Sequence, residues 1–273
     1  MNLAAVTPRL SMFGYSALLR LRPAVVASTL KRVFNVQRRC LRLHNGVQFY
    51  IDPASQFGFQ LLSRGSYEPT MTRLLELCLR SGDTFIDAGA NEGYFSMLAA
   101  YYMSSGRVYA IEPQARLQPI LRRNISINHF DQCVRRMNVA LSDSPGTATL
   151  SLKPMMYSGA SGMFRTGVMP GLTEVVETTT IDEIVETEEL SRIRLLKIDV
   201  EGAEHLVVKG AEQTLRERLV DILALEYHPG VGNDPDACSQ THARLLEHGY
   251  QLTEVGGQTI YHLPNCGSMI DSL

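Results

Sequence analysis

The chain has 273 residues, of which 45% are hydrophobic, and a formal net charge of −2. It is long enough to bury a substantial core, and its near-neutral charge provides no overall attraction to nucleic acid. Five scattered cysteines without a C-x-x-C pair argue against a zinc site or a disulfide framework and predict a reducing, cytoplasmic setting.

Residues 1–60 are predicted to form a basic helical appendage followed by a small hairpin. No acidic residue precedes Asp52, and Pro8 and Pro23 divide the helical segment. Alternating polar and apolar residues from 41 to 51 predict the hairpin. The basic start is compatible with an appendage packed on the body, with a mitochondrial transit segment, or with an amphipathic helix in peripheral contact with an anionic membrane.

Residues 61–273 are predicted to form the main domain. Strands and helices alternate, which predicts an α/β fold with a Rossmann-like, doubly wound, mostly parallel sheet. Its elements include one continuous strand over residues 134–141 and one helix over residues 203–218. Two strands around Gly256-Gly257 predict a C-terminal antiparallel hairpin. Residues 153–172 lack periodicity and are rich in Gly, Met, Ser and Pro, so they are a candidate lid.

The first chemistry-bearing motif is a strand, a glycine-bearing loop and a helix between residues 83 and 103. A dinucleotide-binding loop would read G-x-G-x-x-G, whereas this one reads D-A-G-A-N-E-G. A carboxylate at the strand end repels phosphate and suits a ligand that carries an ammonium group, such as S-adenosyl-L-methionine. The residues predicted to surround the methionine half of that ligand are Asp87, Gly89, Ala90, Asn91 and Gly93.

Two further strand ends are predicted to contact the nucleoside half. Glu112 ends the second strand, where an acidic residue accepts hydrogen bonds from ribose hydroxyls in nucleotide-binding α/β folds. Ser142 and Asp143 follow the third strand, where a side chain can meet an adenine ring. The same two residues can equally begin a turn before Pro145-Gly146.

Acidic residues and a histidine follow two neighbouring strands near the carboxyl edge of the sheet. Asp199 and Glu201 are interpreted as functional, whereas a structural role is favoured for Glu204 and His205. The alternative for Glu201 and Glu204 is that their charges complement the start of the next helix. Glu226 and His228 end the following strand. The candidate catalytic residues are therefore Asp199, Glu201 and His228, with Asp199 or His228 as general base, or Asp199 and Glu226 as ligands of Mg²⁺. Asp199 is also predicted to bind the cofactor, facing its charged centre.

These motifs together resemble the FkbM-type S-adenosylmethionine-dependent methyltransferases. The resemblance covers roughly residues 65–230 and is carried by Y-E-P at Tyr67, the glycine loop, I-E-P at Ile111, T-T-T-I-D at Thr178, L-K-I-D-V-E-G-A-E at Leu196, and E-Y-H at Glu226. It implies O-methylation of a hydroxyl, often on a sugar or a polyketide-like product. It also implies that Glu68 approaches the cofactor.

The sequence predicts a small-molecule acceptor with a hydroxyl group and is compatible with a homo-oligomer. Lipid, peptide or carboxylate acceptors and a non-catalytic cofactor-binding module remain alternatives. An NAD-dependent oxidoreductase would require glycines where Asp87 and Asn91 stand. A nucleic-acid methyltransferase is disfavoured because the Asn/Asp-Pro-Pro-Tyr signature and tryptophans are absent. The acceptor is expected to be selected by residues 1–60 and 153–172.

Overall fold

The computed structural model describes residues 11–21, 24–164, 172–228, 231 and 236–273. Its helices are α1 Met12–Arg20, α2 Ala24–Val33, α3 Gln56–Arg64, α4 Pro69–Cys78, α5 Tyr94–Met103, α6 Gln118–Ile127, α7 Ile181–Thr187, α8 Glu204–Lys209, α9 Glu212–Arg216, α10 Ala237–Glu247 and α11 Gly267–Ile270. Its strands are β1 Arg39–Arg42, β2 Gln48–Ile51, β3 Thr84–Ala88, β4 Arg107–Ile111, β5 Val134–Met137, β6 Ala140–Leu141, β7 Gly146–Ser151, β8 Thr173–Thr179, β9 Ile193–Ile198, β10 Val220–Leu225, β11 Gln251–Val255 and β12 Gln258–His262. None of the helices in these ranges combines the length and apolar content needed to cross a membrane.

The central sheet has seven strands in the order β11-β12-β10-β9-β3-β4-β5. The five strands from β10 to β5 run parallel, while β12 pairs antiparallel with β10 and with β11. The predicted Rossmann-like α/β fold and its C-terminal antiparallel hairpin are therefore confirmed. The carboxyl ends of β3, β4, β9 and β10 meet at one edge of this sheet.

Neighbouring residues along each central strand face opposite sides of the sheet, because side chains alternate in a strand. Phe85, Leu195 and Ile222 belong to one buried cluster with α4 and α5. The residues that follow them (Ile86, Leu196 and Leu223) belong to a second cluster with α7, α8 and α9. Two apolar layers thus hold the sheet between helices and fix the strand ends that carry the site.

Two elements that were predicted to be continuous are each divided in the structure, so these two predictions are wrong. The strand predicted over 134–141 is divided into β5 and β6, and β6 joins a small separate sheet with β8 and β7. Asn138 lies at the break, and its amide donates to the carbonyl of Pro113 at 2.7 Å. The helix predicted over 203–218 is divided into α8 and α9 at Gly210, where a Cβ would lie 2.1 Å from the carbonyl oxygen of Ser142.

The N-terminal helices and hairpin pack on the body of the protein. The β1–β2 hairpin contacts α6, where the Asn124 side chain accepts a hydrogen bond from the Tyr50 amide at 2.6 Å. Arg38 donates two hydrogen bonds to the buried carboxylate of Glu92, at 2.8 and 2.6 Å. The domain boundary at residue 60 stays a prediction, and α3 runs across it. Residues 1–10 and Pro23 lie outside the described residues.

Candidate active site

The glycine loop joins β3 to α5 and lies directly against the end of β9. Gly89 has a φ of +83°, and a Cβ at this position would lie 1.9 Å from the carbonyl oxygen of Asp199. Gly93 immediately precedes α5 and has a φ of +88°, and a Cβ there would lie 2.4 Å from the Leu121 side chain. Both backbone conformations favour glycine, and at Gly89 a Cβ would also collide with fixed backbone, so a larger residue does not fit there.

Asp87 lies beneath this loop rather than in the cavity wall. The Ser96 hydroxyl donates to its Oδ2 at 2.6 Å, while its other oxygen, Oδ1, has no hydrogen-bond partner among the described residues. Complete burial raises the pKa of Asp87, although the charge of Lys197 opposes this effect. Asp87 therefore supports the loop and contributes negative charge from below it.

Glu112 follows β4 and is held by the backbone on both sides. Its two carboxylate oxygens accept hydrogen bonds from the amides of Asn91 and Gln114, each at 2.9 Å. Burial raises the pKa of Glu112 to about 7, against the effect of these hydrogen bonds. The arrangement fixes the carboxylate at the cavity wall, where its remaining lone pairs can accept from ligand hydroxyls.

A cavity of about 270 Å³ opens at this edge of the sheet. It is lined by the predicted residues Glu68, Gly89, Ala90, Asn91, Glu112, Asp199, Glu201 and Glu226, together with Lys197, Gln114 and residues 156–163. Ala140 and Leu141 line it on the side where an adenine was expected. The predicted adenine contacts Ser142 and Asp143 lie next to this wall, and Asp143 forms an ion pair with Lys209 at 2.8 Å.

Lys197 is a buried cation that the sequence reasoning missed. Its ammonium lies 3.0 Å from Oδ2 of Asp199 and 5.1 Å from the ring centre of Phe95. Burial alone would lower the pKa of Lys197, but the charges of Asp199, Asp87 and Glu68 raise it. Lys197 therefore pairs directly with Asp199, and the charges of Asp87 and Glu68, from two other segments of the chain, also favour its charged form. The sequence does contain one signal for this role. Lys197 lies two residues before Asp199 at the end of a strand, so both side chains are expected on the same face.

Glu68 stands immediately before α4 in a left-handed conformation, with a φ of 42°. Its Oε2 atom is buried, has no hydrogen-bond partner in the described part of the chain, and belongs to a residue of the cavity wall. Burial raises its pKa to about 7, with further increases from Glu226 and Asp199 and an opposing effect of Lys197. A strained backbone and an unsatisfied carboxylate oxygen are features that a bound cationic group would explain.

His228 lies among four carboxylates at the ends of β9 and β10. Its Nδ1 atom is 2.8 Å from Oε1 of Glu204, a residue buried at the start of α8. Its Nε2 atom faces three residues of the cavity wall, at 3.5 Å from Glu201, 3.9 Å from Asp199 and 4.0 Å from Glu226. Burial would lower the pKa of His228, but the hydrogen bond and charge of Glu204 raise it.

The sequence predicts only a structural role for Glu204 at the start of a helix. In the structure it also contacts His228. It also accepts a hydrogen bond from the Gly202 amide at 3.0 Å, which fixes its carboxylate beneath the imidazole. His205, by contrast, stacks near the ring of Phe164 at 5.8 Å and does not join this cluster. Glu204 begins α8 and His228 follows β10, so their contact joins segments 24 residues apart and leaves no local signal in the sequence.

Asp199, Glu226 and His228 each offer one possible ligand atom, and these atoms lie within 4.8 Å of one another. A set with one imidazole suits Mn²⁺, Zn²⁺ or Fe²⁺ better than Mg²⁺, which prefers oxygen ligands. The ammonium of Lys197 already offsets part of the negative charge of Asp199. Binding of Mg²⁺ by Asp199 and Glu226 stays a prediction.

The described part of the candidate lid covers the cavity. A 3₁₀ helix over Met155–Ala160 contributes to its wall, and the side-chain amide of Gln114 donates to the Ser158 carbonyl at 3.3 Å. The Tyr157 hydroxyl donates to the carbonyl of Leu19 in α1. Residues 165–171 of the candidate lid lie outside the described residues. The loop therefore connects the cavity to the N-terminal helices.

Comparison with known proteins identifies the family. Residues 87–252 match the model of the methyltransferase FkbM domain. The chain is 27% identical over 188 residues to the hexuronic acid methyltransferase AglP of Haloferax volcanii, covering 69% of this chain and 71% of that protein. It is 27% identical over 206 residues to the 31-O-demethyl-FK506 methyltransferase FkbM of Streptomyces tacrolimicus, covering 64% and 75%.

A crystal structure of the methyltransferase FkbM from Methylobacillus flagellatus covers 91% of this chain and 57% of its own, with 17% identity and a TM-score of 0.47. The family match spans the glycine loop, Glu112 and the residues around His228. The chain belongs to the FkbM methyltransferase family, and it is a methyltransferase.

Proposed function

We propose that this methyltransferase transfers a methyl group from S-adenosyl-L-methionine to a hydroxyl of a sugar, glycoside or related natural product. The observation that carries the proposal is the orientation of His228. Its Nδ1 atom is engaged by Glu204, so its Nε2 atom is directed toward the cavity-lining carboxylates Asp199, Glu201 and Glu226. A hydroxyl needs a base at neutral pH, and an oriented imidazole is suited to that task.

The residues of the cavity fit the cofactor. Glu68 offers an unsatisfied carboxylate oxygen to an ammonium group, and Glu112 offers fixed acceptor oxygens to ribose hydroxyls. The walls near the glycine loop carry carboxylates, which suits a cationic ligand and disfavours a pyrophosphate. When bound, S-adenosyl-L-methionine supplies the methyl group. Ser142 and Asp143 are proposed to lie near its adenine ring.

In this mechanism the chain positions the acceptor and removes its proton. His228 accepts the hydroxyl proton at Nε2, and Glu204 stabilises the resulting imidazolium through Nδ1. Asp199 and Glu201 orient the acceptor and add negative charge beside the imidazolium. Methyl transfer depends mainly on the alignment of the acceptor oxygen with the methyl group. The loop over 153–164 lines the cavity and contributes by excluding water from it.

Two relatives support a hydroxyl-bearing acceptor. One is a methyltransferase of 31-O-demethyl-FK506, and another is a hexuronic acid methyltransferase. A carboxylate acceptor is the alternative that the second relative suggests, because a hexuronic acid carries a carboxylate as well as hydroxyl groups. An ether product resists mild base, whereas a methyl ester is hydrolysed, so the two acceptors are separable by product stability.

Three variants test the role of His228. We expect His228→Ala to reduce kcat by about 10²- to 10⁴-fold, the contribution typical of a general base. Asp199→Asn should reduce it as well, whereas His205→Ala is a matched control that leaves kcat within about twofold because His205 lies outside the cluster. We expect calorimetry to show that the unmodified protein and all three variants bind S-adenosyl-L-methionine and not NAD. Full turnover by both His228→Ala and Asp199→Asn would refute the assignment.

A metal-assisted route is the second candidate, because possible ligand atoms of Asp199, Glu226 and His228 lie within 4.8 Å of one another. It predicts that treatment with EDTA abolishes turnover and that Mn²⁺ or Mg²⁺ restores it. A base mechanism predicts turnover that EDTA leaves unchanged.

A further inference from the structure

The N-terminal helices expose an unusual number of large apolar side chains. Within the described ranges, five of the nine exposed large hydrophobic residues lie in the first 34 positions. Phe13 is 85% exposed and Val33 is 71% exposed. The other three are Met12, Val26 and Phe34. Exposed apolar side chains concentrated in one region mark an interaction surface rather than ordinary surface scatter.

These side chains point away from the protein because the opposite faces of α1 and α2 are already used. Tyr15 and Leu18 of α1 and Ala27 of α2 are buried in one shared cluster. Phe13 in α1, and Val26 and Val33 in α2, therefore lie on faces that no other described element covers. We call these faces of α1 and α2 the outer surface.

The outer surface is bordered by positive charge. The first 51 residues contain eight arginines and lysines and no acidic residue. Lys31 and Arg38 are neutralised within the protein by Asp52 and Glu92. Arg20 and Arg32 are exposed, and the described residues offer them no ion-pair partner. Apolar side chains flanked by arginine are the composition that binds an anionic bilayer interface.

The same helices rest on the loop that covers the cavity. The Tyr157 hydroxyl donates to the carbonyl of Leu19, and Met156 is buried in the cluster with Tyr15, Leu18 and Ala27. Met156 and Tyr157 also line the cavity. A membrane that binds the outer surface would therefore contact helices that pack on the cavity-lining residues Met156 and Tyr157.

We propose that the outer surface of α1 and α2 docks on an anionic phospholipid membrane, and that the acceptor is a hydroxyl compound presented there on a lipid anchor. The second part rests on the proposed function. A second copy of this chain is a poorer occupant, because two identical faces would bring Arg20 and Arg32 of each copy near those of the other without a compensating acid. An anionic bilayer supplies that compensation.

A single fluorophore tests the docking directly, since the chain contains no tryptophan. Phe13→Trp should show a blue-shifted and brighter emission on vesicles with about 30% phosphatidylglycerol, and much less on pure phosphatidylcholine. The effect should weaken as salt rises, because surface charges are screened. Val175→Trp, at a position 71% exposed on β8, is the matched control and should not shift on either vesicle.

Flotation with the same anionic vesicles gives a second readout. Replacing Phe13 and Val33 by serine should reduce the bound fraction at least tenfold, whereas replacing Val175 and Leu252 by serine should leave it unchanged. Absence of binding by the unmodified chain, or equal binding to neutral vesicles, would overturn the membrane assignment. A different outcome would assign the surface to a second copy of the chain. The unmodified protein would then form a concentration-dependent dimer in sedimentation and not bind vesicles, and the Phe13/Val33 variant would lose that dimer.

The two parts of the proposal fail separately. Vesicle binding does not require turnover, so it can hold even if no methyl transfer occurs. A second assay compares kcat/KM for a water-soluble glycoside with kcat/KM for its lipid-linked form on anionic vesicles. If the protein binds these vesicles but kcat/KM is not higher for the lipid-linked form, the lipid-anchored acceptor is wrong. The docking surface would then still be supported.

Discussion

The ammonium group of Lys197 lies 3.0 Å from Oδ2 of Asp199, at the floor of a cavity whose walls are acidic. The contact places the positive charge of a buried lysine among Asp199, Asp87 and Glu68, which come from three separate segments. Without this cation, three carboxylates would face one another in a poorly solvated space. The lysine therefore allows the protein to fold with a cavity that is acidic enough to bind a cationic ligand.

Replacement of Lys197 by methionine should destabilise the protein strongly. Removal of one partner from a buried group of charges typically costs about 3–5 kcal/mol, because the remaining charges are left uncompensated. Arg73→Met is the matched control, since the Arg73–Glu76 pair is half exposed and such pairs contribute about 0–1 kcal/mol. Chemical denaturation at pH 7 measures both. A cost for Lys197→Met as small as that of the control would contradict the role assigned to Lys197.

Glu68→Gln should make the ligand-free protein more stable at high pH. The pKa of Glu68 is raised to about 7 from an ordinary value of 4.5, so unfolding releases a proton and stability falls as pH rises between these values. The glutamine variant lacks this loss. We expect a gain of roughly 3–6 °C in Tm at pH 8 and little gain at pH 4, taking about 2–4 °C per kcal/mol and a discount for partial exposure.

The same variant should bind the cofactor less well. Loss of a hydrogen bond between a carboxylate and an ammonium group costs about 1.5–3 kcal/mol, or roughly 10- to 100-fold in Kd. Calorimetry with S-adenosylhomocysteine measures it. A variant that is more stable and binds as tightly as the unmodified protein would show that Glu68 does not contact the ligand.

Gly89→Ala should be far more damaging than alanine at another glycine with the same backbone conformation. Gly46 has a φ of +92° and nothing within 4 Å of an added Cβ, whereas at Gly89 that atom would collide with the Asp199 carbonyl. Gly46→Ala should cost about 1–2 kcal/mol from backbone strain alone. Gly89→Ala should cost more than this and weaken cofactor binding. Equal costs would mean that the close approach of β3 and β9 is unimportant.

The pH dependence of kcat/KM should report His228. Its pKa is raised mainly by the hydrogen bond and charge of Glu204, and a base acts only when deprotonated. The rate should therefore rise with pH through a pKa above the ordinary value of about 6.5. Glu204→Gln removes the charge and should move this rise to lower pH while it reduces the plateau. An unchanged profile in Glu204→Gln would contradict the positioning role of Glu204.

The sequence was sufficient for features that depend on neighbours along the chain. The alternation of strands and helices predicted the sheet, and the glycine loop and Glu112 were identified because each carries its signal within a few residues. Lys197 was missed, and the contact of Glu204 with His228 was not anticipated, because both depend on contacts between distant segments. The breaks near Asn138 and Gly210 also escaped prediction, since each follows from a contact with residues far away in the sequence.

The most direct test of the proposed reaction is transfer of a labelled methyl group. The protein is incubated with S-adenosyl-L-methionine labelled in its methyl group and a panel of glycosides, lipid-linked sugars, hexuronic acids and peptides. The products are then treated with mild base. We expect label in a sugar or glycoside product that survives this treatment, and loss of that label with His228→Ala but not with His205→Ala. Label found only in base-labile esters or in peptides would contradict O-methylation of a hydroxyl.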